Sequence, residues 1–141
     1  MFDAKEVLQL TGLDARFLRQ ARAEKRLPSD FPENRLSLEQ AVALAAWAEI
    51  GRHAPLYGAV SRYTFLKAEF AARDIIAKPE DWFCLYAPDE DRTGEATSFV
   101  TAGDLGSSVE LAEFRPCITF VPMRGCIGRL KAQLTELTEA A

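Results

Sequence analysis

Leu13-Asp14-Ala15-Arg16-Phe17-Leu18-Arg19-Gln20-Ala21-Arg22-Ala23-Glu24-Lys25-Arg26-Leu27-Pro28 decides how the chain reads. Asp14 is a good N-cap, because its carboxylate can accept a hydrogen bond from an orphan N–H of the helix it precedes. On a helix starting at Ala15, Phe17, Leu18 and Ala21 share one face. Arg16, Arg19, Arg22 and Arg26 gather on roughly the opposite face, since side chains three or four apart are neighbours. Glu24 is the only acid within this helix. An apolar back and an arginine front suit a DNA groove: arginine holds phosphates, and it reads guanine O6 and N7 with a two-pronged hydrogen bond. The plainer reading of such a stripe is a solvated face, so the flanking sequence has to weigh in.

Upstream, Asp3 can cap a helix running to about Leu10, with Glu6 placed for a capping-box-like contact and Val7, Leu8 and Leu10 on its apolar side. Thr11-Gly12 ends it, glycine permitting the left-handed conformation that closes many helices. Two short helices joined by a tight Gly-containing turn are the helix-turn-helix signature. Downstream, Leu27-Pro28 stops the arginine helix, and Ser29-Asp30-Phe31-Pro32-Glu33-Asn34 is turn-rich, a hairpin or loop that would serve as a wing. Ser37-Leu38-Glu39-Gln40 is a capping box, with Leu36 and Ala41 placed for a hydrophobic staple. The helix it opens carries Val42, Leu44, Ala45, Trp47, Ala48 and Ile50, is apolar on most sides, and should be the core helix. Gly51 and Pro55 mark its end.

This order of helix, Gly turn, arginine helix, Pro, loop, Arg and capped helix resembles the MerR-like (excisionase-related) winged-helix group over about residues 2–50. In that group a segment like Leu18-Arg19-Gln20-Ala21 lies in the recognition helix, and one like Arg35-Leu36-Ser37-Leu38-Glu39-Gln40-Ala41 leads from wing to third helix. Family members usually carry a Gly-Leu near Arg26-Leu27 and aromatics at the positions of Ala21 and Leu36. Phage terminase small subunits use a similar module, so the fold alone does not imply transcription.

Leu56 to about Ala77 reads as a second long helix, with Leu56, Val60, Tyr63, Leu66 and Phe70 at helical spacing as its packing stripe, on the body or on a second subunit. Trp82-Phe83-Cys84-Leu85-Tyr86 reads as a strand, Asp89 to Gly94 as a turn and Ala96 to Thr101 as its hairpin partner. Residues 102–114 read equally as loop, short helix or strand. Cys117-Ile118-Thr119-Phe120-Val121, between two prolines, suits a strand at a sheet margin. A last helix runs from about Gly125 to Leu137, with Ile127, Leu130, Leu134 and Leu137 on one face. The fold class expected is α+β: an N-terminal winged helix-turn-helix over residues 1–54, then a helix, a small antiparallel sheet and a C-terminal helix over 55–141 forming a dimerisation or sensing lobe.

Composition narrows the chemistry. The formal net charge is −4, with basic and acidic side chains balanced before Pro55 and the acid in excess after it. An arginine-bearing head on a more acidic body is compatible with specific DNA binding, where a local patch matters more than the total. No apolar run suggests a membrane span, and the first residues lack the basic-then-apolar layout of a secretion signal, so a cytoplasmic protein is expected. Cys84, Cys117 and Cys126 form no C-x-x-C pair, and His53 is the only histidine, so no metal site and no disulfide framework is expected. Gly125-Cys126-Ile127-Gly128 opens the last helix, where a thiol can have a lowered pKa, but a lone G-x-x-G lacks the rest of any nucleotide motif. Asp89, Glu90 and Asp91 lack calcium-loop spacing. Ser107 and Ser108 have no nucleophile setting. The chain therefore reads as no enzyme and as needing no cofactor.

The function expected is a sequence-specific, double-stranded-DNA-binding transcriptional regulator, dimeric through its C-terminal part. Arg16 and Arg19, early in the second helix, are the candidates for base edges. Arg22, Lys25, Arg26 and Arg35 are candidates for phosphates, with Lys5 assisting at the backbone. Phe17, Leu18, Val42, Leu44 and Trp47 should be structural. The alternative is an adaptor, of phage terminase-small-subunit type or from the host, that uses the same module without transcriptional control and meets a protein partner through its C-terminal lobe. A third class is a ligand sensor with its pocket among Trp82, Phe83, Tyr86 and Phe120.

Overall fold

The computed structural model describes residues 1–88, 96–111 and 115–140, the side chains of 111 and 137–140 excepted. The expected turn at Asp89–Gly94, and the side chains of Phe114 and Leu137, lie outside the described residues.

The first third is built from local signals. Strand β1 (Phe2–Asp3) leads into α1 (Ala4–Thr11), which Asp3 caps by accepting from the Lys5 N–H at 2.8 Å. Gly12 closes α1 at φ +73°, where a Cβ would also meet Arg52. Asp14 caps α2 (Ala15–Ala23) by accepting from the Phe17 N–H at 2.7 Å. Ser37 and Gln40 make both bonds of a capping box at the start of α3 (Leu38–His53). Every side chain from Ala41 to Ala48 is buried, so α3 is the core helix and is apolar all round.

Residues 29–34 form turns, not a hairpin. The pairing there is instead between β1 and β2 (Arg35–Leu36), antiparallel, with Phe2 opposite Leu36 and Asp3 opposite Arg35. Two proximal prolines and a polar run contain no strand pair of their own, so the N-terminal residues supply the partner.

Leu56 to Ala77 is two helices, α4 (Gly58–Phe70) and α5 (Ala72–Ala77), meeting at Ala71. No Gly or Pro marks the break, which is why the stretch reads as one helix. The expected packing stripe is also rotated. Leu56 and Val60 are buried, but Tyr63, Leu66 and Phe70 face outward. The buried face is Val60, Ser61, Thr64, Phe65 and Ala68. Its two hydroxyls are tolerated because both are satisfied: Ser61 by Trp47 and Arg26, Thr64 by Thr97 and the Val60 carbonyl.

A three-stranded antiparallel sheet follows, ordered β4-β3-β5, with β3 (Trp82–Tyr86) central between β4 (Thr97–Thr101) and β5 (Thr119–Pro122). Pro122 sits on an edge strand, where a missing N–H costs little. The ambiguous 102–114 stretch is a helical turn (Ala102–Asp104) running into α6 (Leu105–Leu111), as far as it is described. Helix α7 (Arg124–Ala140) buries Ile127, Leu130 and Leu134. The fold is α+β, and one cluster of buried side chains runs from Ala4 to Leu134 across both halves of the chain. No helix among the described residues is long and apolar enough to cross a membrane.

Candidate nucleic-acid interface

The expected arginine stripe divides in two, because α2 ends at Ala23, short of Leu27-Pro28, and Lys25 and Arg26 lie beyond the helix. Leu18 and Ala21 anchor the back of the helix in the core. Arg16 and Arg19 project from the front, exposed and without a hydrogen-bond or ion-pair partner among the described residues. Arg22 leans towards the 31–34 segment, with Nη1 3.4 Å from Glu33 Oε1 and its guanidinium 5.6 Å from the centre of the Phe31 ring. Arg26 folds back. Its guanidinium lies 5.5 Å from the Phe17 ring centre and 5.8 Å from that of Trp47, Nη1 is 3.5 Å from Glu24, and Nε is buried with no partner. Phe17 is thus partly structural: 37% exposed, it packs on Trp47 with ring centres 5.9 Å apart.

Lys25 is exposed and holds φ +59°, the one non-glycine residue with positive φ among the described residues. The Arg26 N–H donates to the Ala21 carbonyl and the Lys25 N–H to that of Arg22, the paired bonds of a Schellman closure. Lys5 is exposed on the first turn of α1. Arg35, on β2, is exposed and reaches only the Met1 carbonyl at 3.4 Å.

A groove of about 510 Å³ runs between α2 and residues 31–36. Its floor includes Leu8, Leu18, Phe31 and Leu36, and Arg19 and Arg22 stand on its wall. The structure therefore brings Arg16, Arg19 and Arg22 to one helix face beside the segment that leads to Arg35. Lys25 and Arg26 belong to the far end of α2, against α3 and α4.

Contacts that no sequence pattern shows hold this helix pair in place. Arg52 Nη2 donates to the Thr11 carbonyl at 2.7 Å while Nη1 pairs with Glu49, which closes the end of α1. Arg62 donates to the Lys25 carbonyl and Ser61 to the Arg26 carbonyl, so α4 grips the end of α2. These pairs are 35 to 41 residues apart in sequence, and single residues carry no signal of such partners.

Other candidates dissolve in the geometry. Alternation along β3 sends Trp82 and Tyr86 to the core face of the sheet with Cys84, and Phe83 and Leu85 to the other face, where Phe120 pairs opposite Leu85. The aromatic set is therefore split across the sheet, and Tyr86 spends its hydroxyl on the Pro55 carbonyl at 2.8 Å. Cys126 is buried, and burial pushes its thiol up to about 11, with the Glu49 charge adding to the rise. That is opposite to the lowering a helix start can cause. Burial likewise pushes Cys84 up to about 12.

No family model matches the chain, and no curated protein or solved structure matches it.

Proposed function

We propose that this protein is a sequence-specific double-stranded-DNA-binding regulator of MerR-like winged-helix type, acting as a homodimer, with α2 as its recognition helix. The observation that carries the reading is the pair Arg16 and Arg19: two exposed, unpartnered guanidinium groups in the first two turns of the second helix of a tight helix pair. In a helix-turn-helix the early residues of that helix meet base edges. On a chain of net charge −4, two adjacent exposed cations free of ion pairs make a local basic patch that an anion such as DNA can meet. In this reading the short β1–β2 ladder and the 29–34 turns would serve as the wing, and the exposed Arg35 would hold a phosphate. Arg22 and Lys25 add backbone contacts at the rim. Arg26, spent on Phe17 and Trp47, holds the shape of the helix end more than it offers a free charge.

Selection of bound fragments from a random duplex pool tests this. The expected result is one enriched motif with two-fold symmetry and steep salt dependence. Replacing Arg16 or Arg19 with Ala should cost ~1–3 kcal/mol on that motif and blur one base position. An Arg16→Ala, Arg19→Ala double variant that binds as before removes the recognition-helix assignment, and the adaptor reading then takes its place.

A further inference from the structure

A pocket of about 290 Å³ opens between the Gly12 turn, α2 and the end of α3. Leu13, Phe17, Trp47 and Leu56 give it apolar walls, Arg26 and Arg52 bring two guanidinium groups, and no acidic side chain lines it. The two cations are not alike. Arg52 is spent: Nη1 lies 2.7 Å from Glu49, and Nη2 donates to the Thr11 carbonyl at 2.7 Å. Arg26 is not. Its side chain is only 25% exposed, and its one ion pair among the described residues leaves Glu24 Oε2 3.5 Å from Nη1. The guanidinium donates no hydrogen bond among those residues, and its Nε is buried. The nearby rings of Phe17 and Trp47 favour the charge but offer its N–H groups no acceptor oxygen. A guanidinium largely removed from water, with its donors unused, is a costly group, and a carboxylate in two-pronged contact meets it best.

We infer that this pocket binds a small aromatic carboxylate, its carboxylate on Arg26 and its ring among the apolar walls. Charge selects the head group. Two cations and no acid line the pocket, so a neutral or cationic occupant leaves Arg26 as it was. Size and polarity select the body. The volume lies at the small end of the ~300–1,000 Å³ range of ligand pockets, which suits a single ring and not a segment of chain. A bare inorganic anion would leave the apolar walls without contact. The site goes beyond the DNA-binding reading and does not rest on it. Phe17 belongs to α2 and Gly12 to the turn before it, so an occupant touches the joint between the first two helices.

Benzoate, with benzamide and acetate as controls, is titrated into the full chain to about 10 mM and followed by NMR of the amide and indole N–H groups. The expected result is saturable shifts at Gly12, Gly51 and the Trp47 indole but not at the Trp82 indole. Benzamide, which lacks the charge, and acetate, which lacks the ring, should each bind at least ~10-fold more weakly. Arg26→Met keeps an apolar stem and should weaken benzoate binding at least ~10-fold. Gly51→Leu is a second route to the same site. A Cβ at Gly51 meets only Leu56 Cδ1, at 4.0 Å, so the fold accepts a side chain there that fills the pocket and blocks benzoate. Shifts that do not saturate overturn the inference. So does benzamide binding as tightly as benzoate, or benzoate binding that is unchanged in either folded variant. Benzoate binding of the expected kind by a chain that selects no DNA sequence supports this site and sinks only the DNA reading.

Discussion

Ser61 Oγ lies 2.9 Å from Trp47 Nε1, accepting a hydrogen bond from the indole N–H, and donates in turn to the Arg26 carbonyl at 2.8 Å. One buried hydroxyl thereby joins the core helix, the end of the arginine helix and α4. Ser61→Ala leaves the indole N–H and a carbonyl without their partner, and should cost about 2–3 kcal/mol in urea unfolding. The Ser61→Ala, Trp47→Phe double variant should lose less than the sum of the singles, since the two act through one bond. Additive losses would show that the relay does not hold the two together.

Lys25 occupies a left-handed position that glycine fills more easily. Removing the ~1–2 kcal/mol Cβ penalty there outweighs the ~0.5–1 kcal/mol entropic cost of glycine. Lys25→Gly should therefore stabilise the fold by up to about 1 kcal/mol. If Lys25 holds a phosphate, the same variant weakens DNA binding and shallows the log–log salt slope by about one unit. Higher stability with unchanged DNA affinity would remove Lys25 from the interface.

The two halves of the arginine stripe should separate in stability measurements. Arg19→Ala, on the solvent face, should shift unfolding by about half a kcal/mol or less. Arg26→Ala removes a guanidinium from over two rings and should cost about 1–2 kcal/mol. Arg26→Met keeps the packed stem and drops the unpartnered Nε, so it should cost less than Ala. Equal losses for Arg19→Ala and Arg26→Ala would contradict this division.

Glu69 is pushed above its ordinary 4.5, first by partial burial and then by the charges of Asp30 and Glu39. A carboxylate with a raised folded-state pKa opposes folding once it ionises. Its penalty is absent below 4.5 and complete above the raised value. Glu69→Gln should accordingly stabilise the protein at pH 7, by no more than about half a kcal/mol at this half-exposed site. The gain should vanish as the pH falls below the ordinary carboxylate range. Thermal melts across that range check the sign, and a gain that persists in acid would point to packing instead of charge.

Helix boundaries in the first third were legible because each depends on residues within four positions: Asp3, Asp14, the Ser37–Gln40 box and Gly12 all act where their local pattern places them. The aromatic strand, its partner strand and the closing helix were legible for similar reasons of short period and bounding turns. Which arginines of α2 stay free was not. Arg16, Arg19 and Arg26 are equivalent in a helical pattern, but α2 ends at Ala23 and left-handed Lys25 turns the chain, so Arg26 leaves the stripe and lies over Phe17 and Trp47.

The sequence by itself determined where α1, α2 and α3 are capped and where α1 ends, and that an arginine helix follows a tight glycine turn. Tertiary structure alone decided that Phe2 pairs with Leu36 in place of a hairpin, that α4 buries Ser61 and Thr64, and that it turns Tyr63, Leu66 and Phe70 outward. The physical reason is the same in each case. Hydrophobic periodicity ranks side chains by their affinity for water, but a hydroxyl is buried at little cost where a distant partner satisfies it, and Trp47 and Thr97 are such partners.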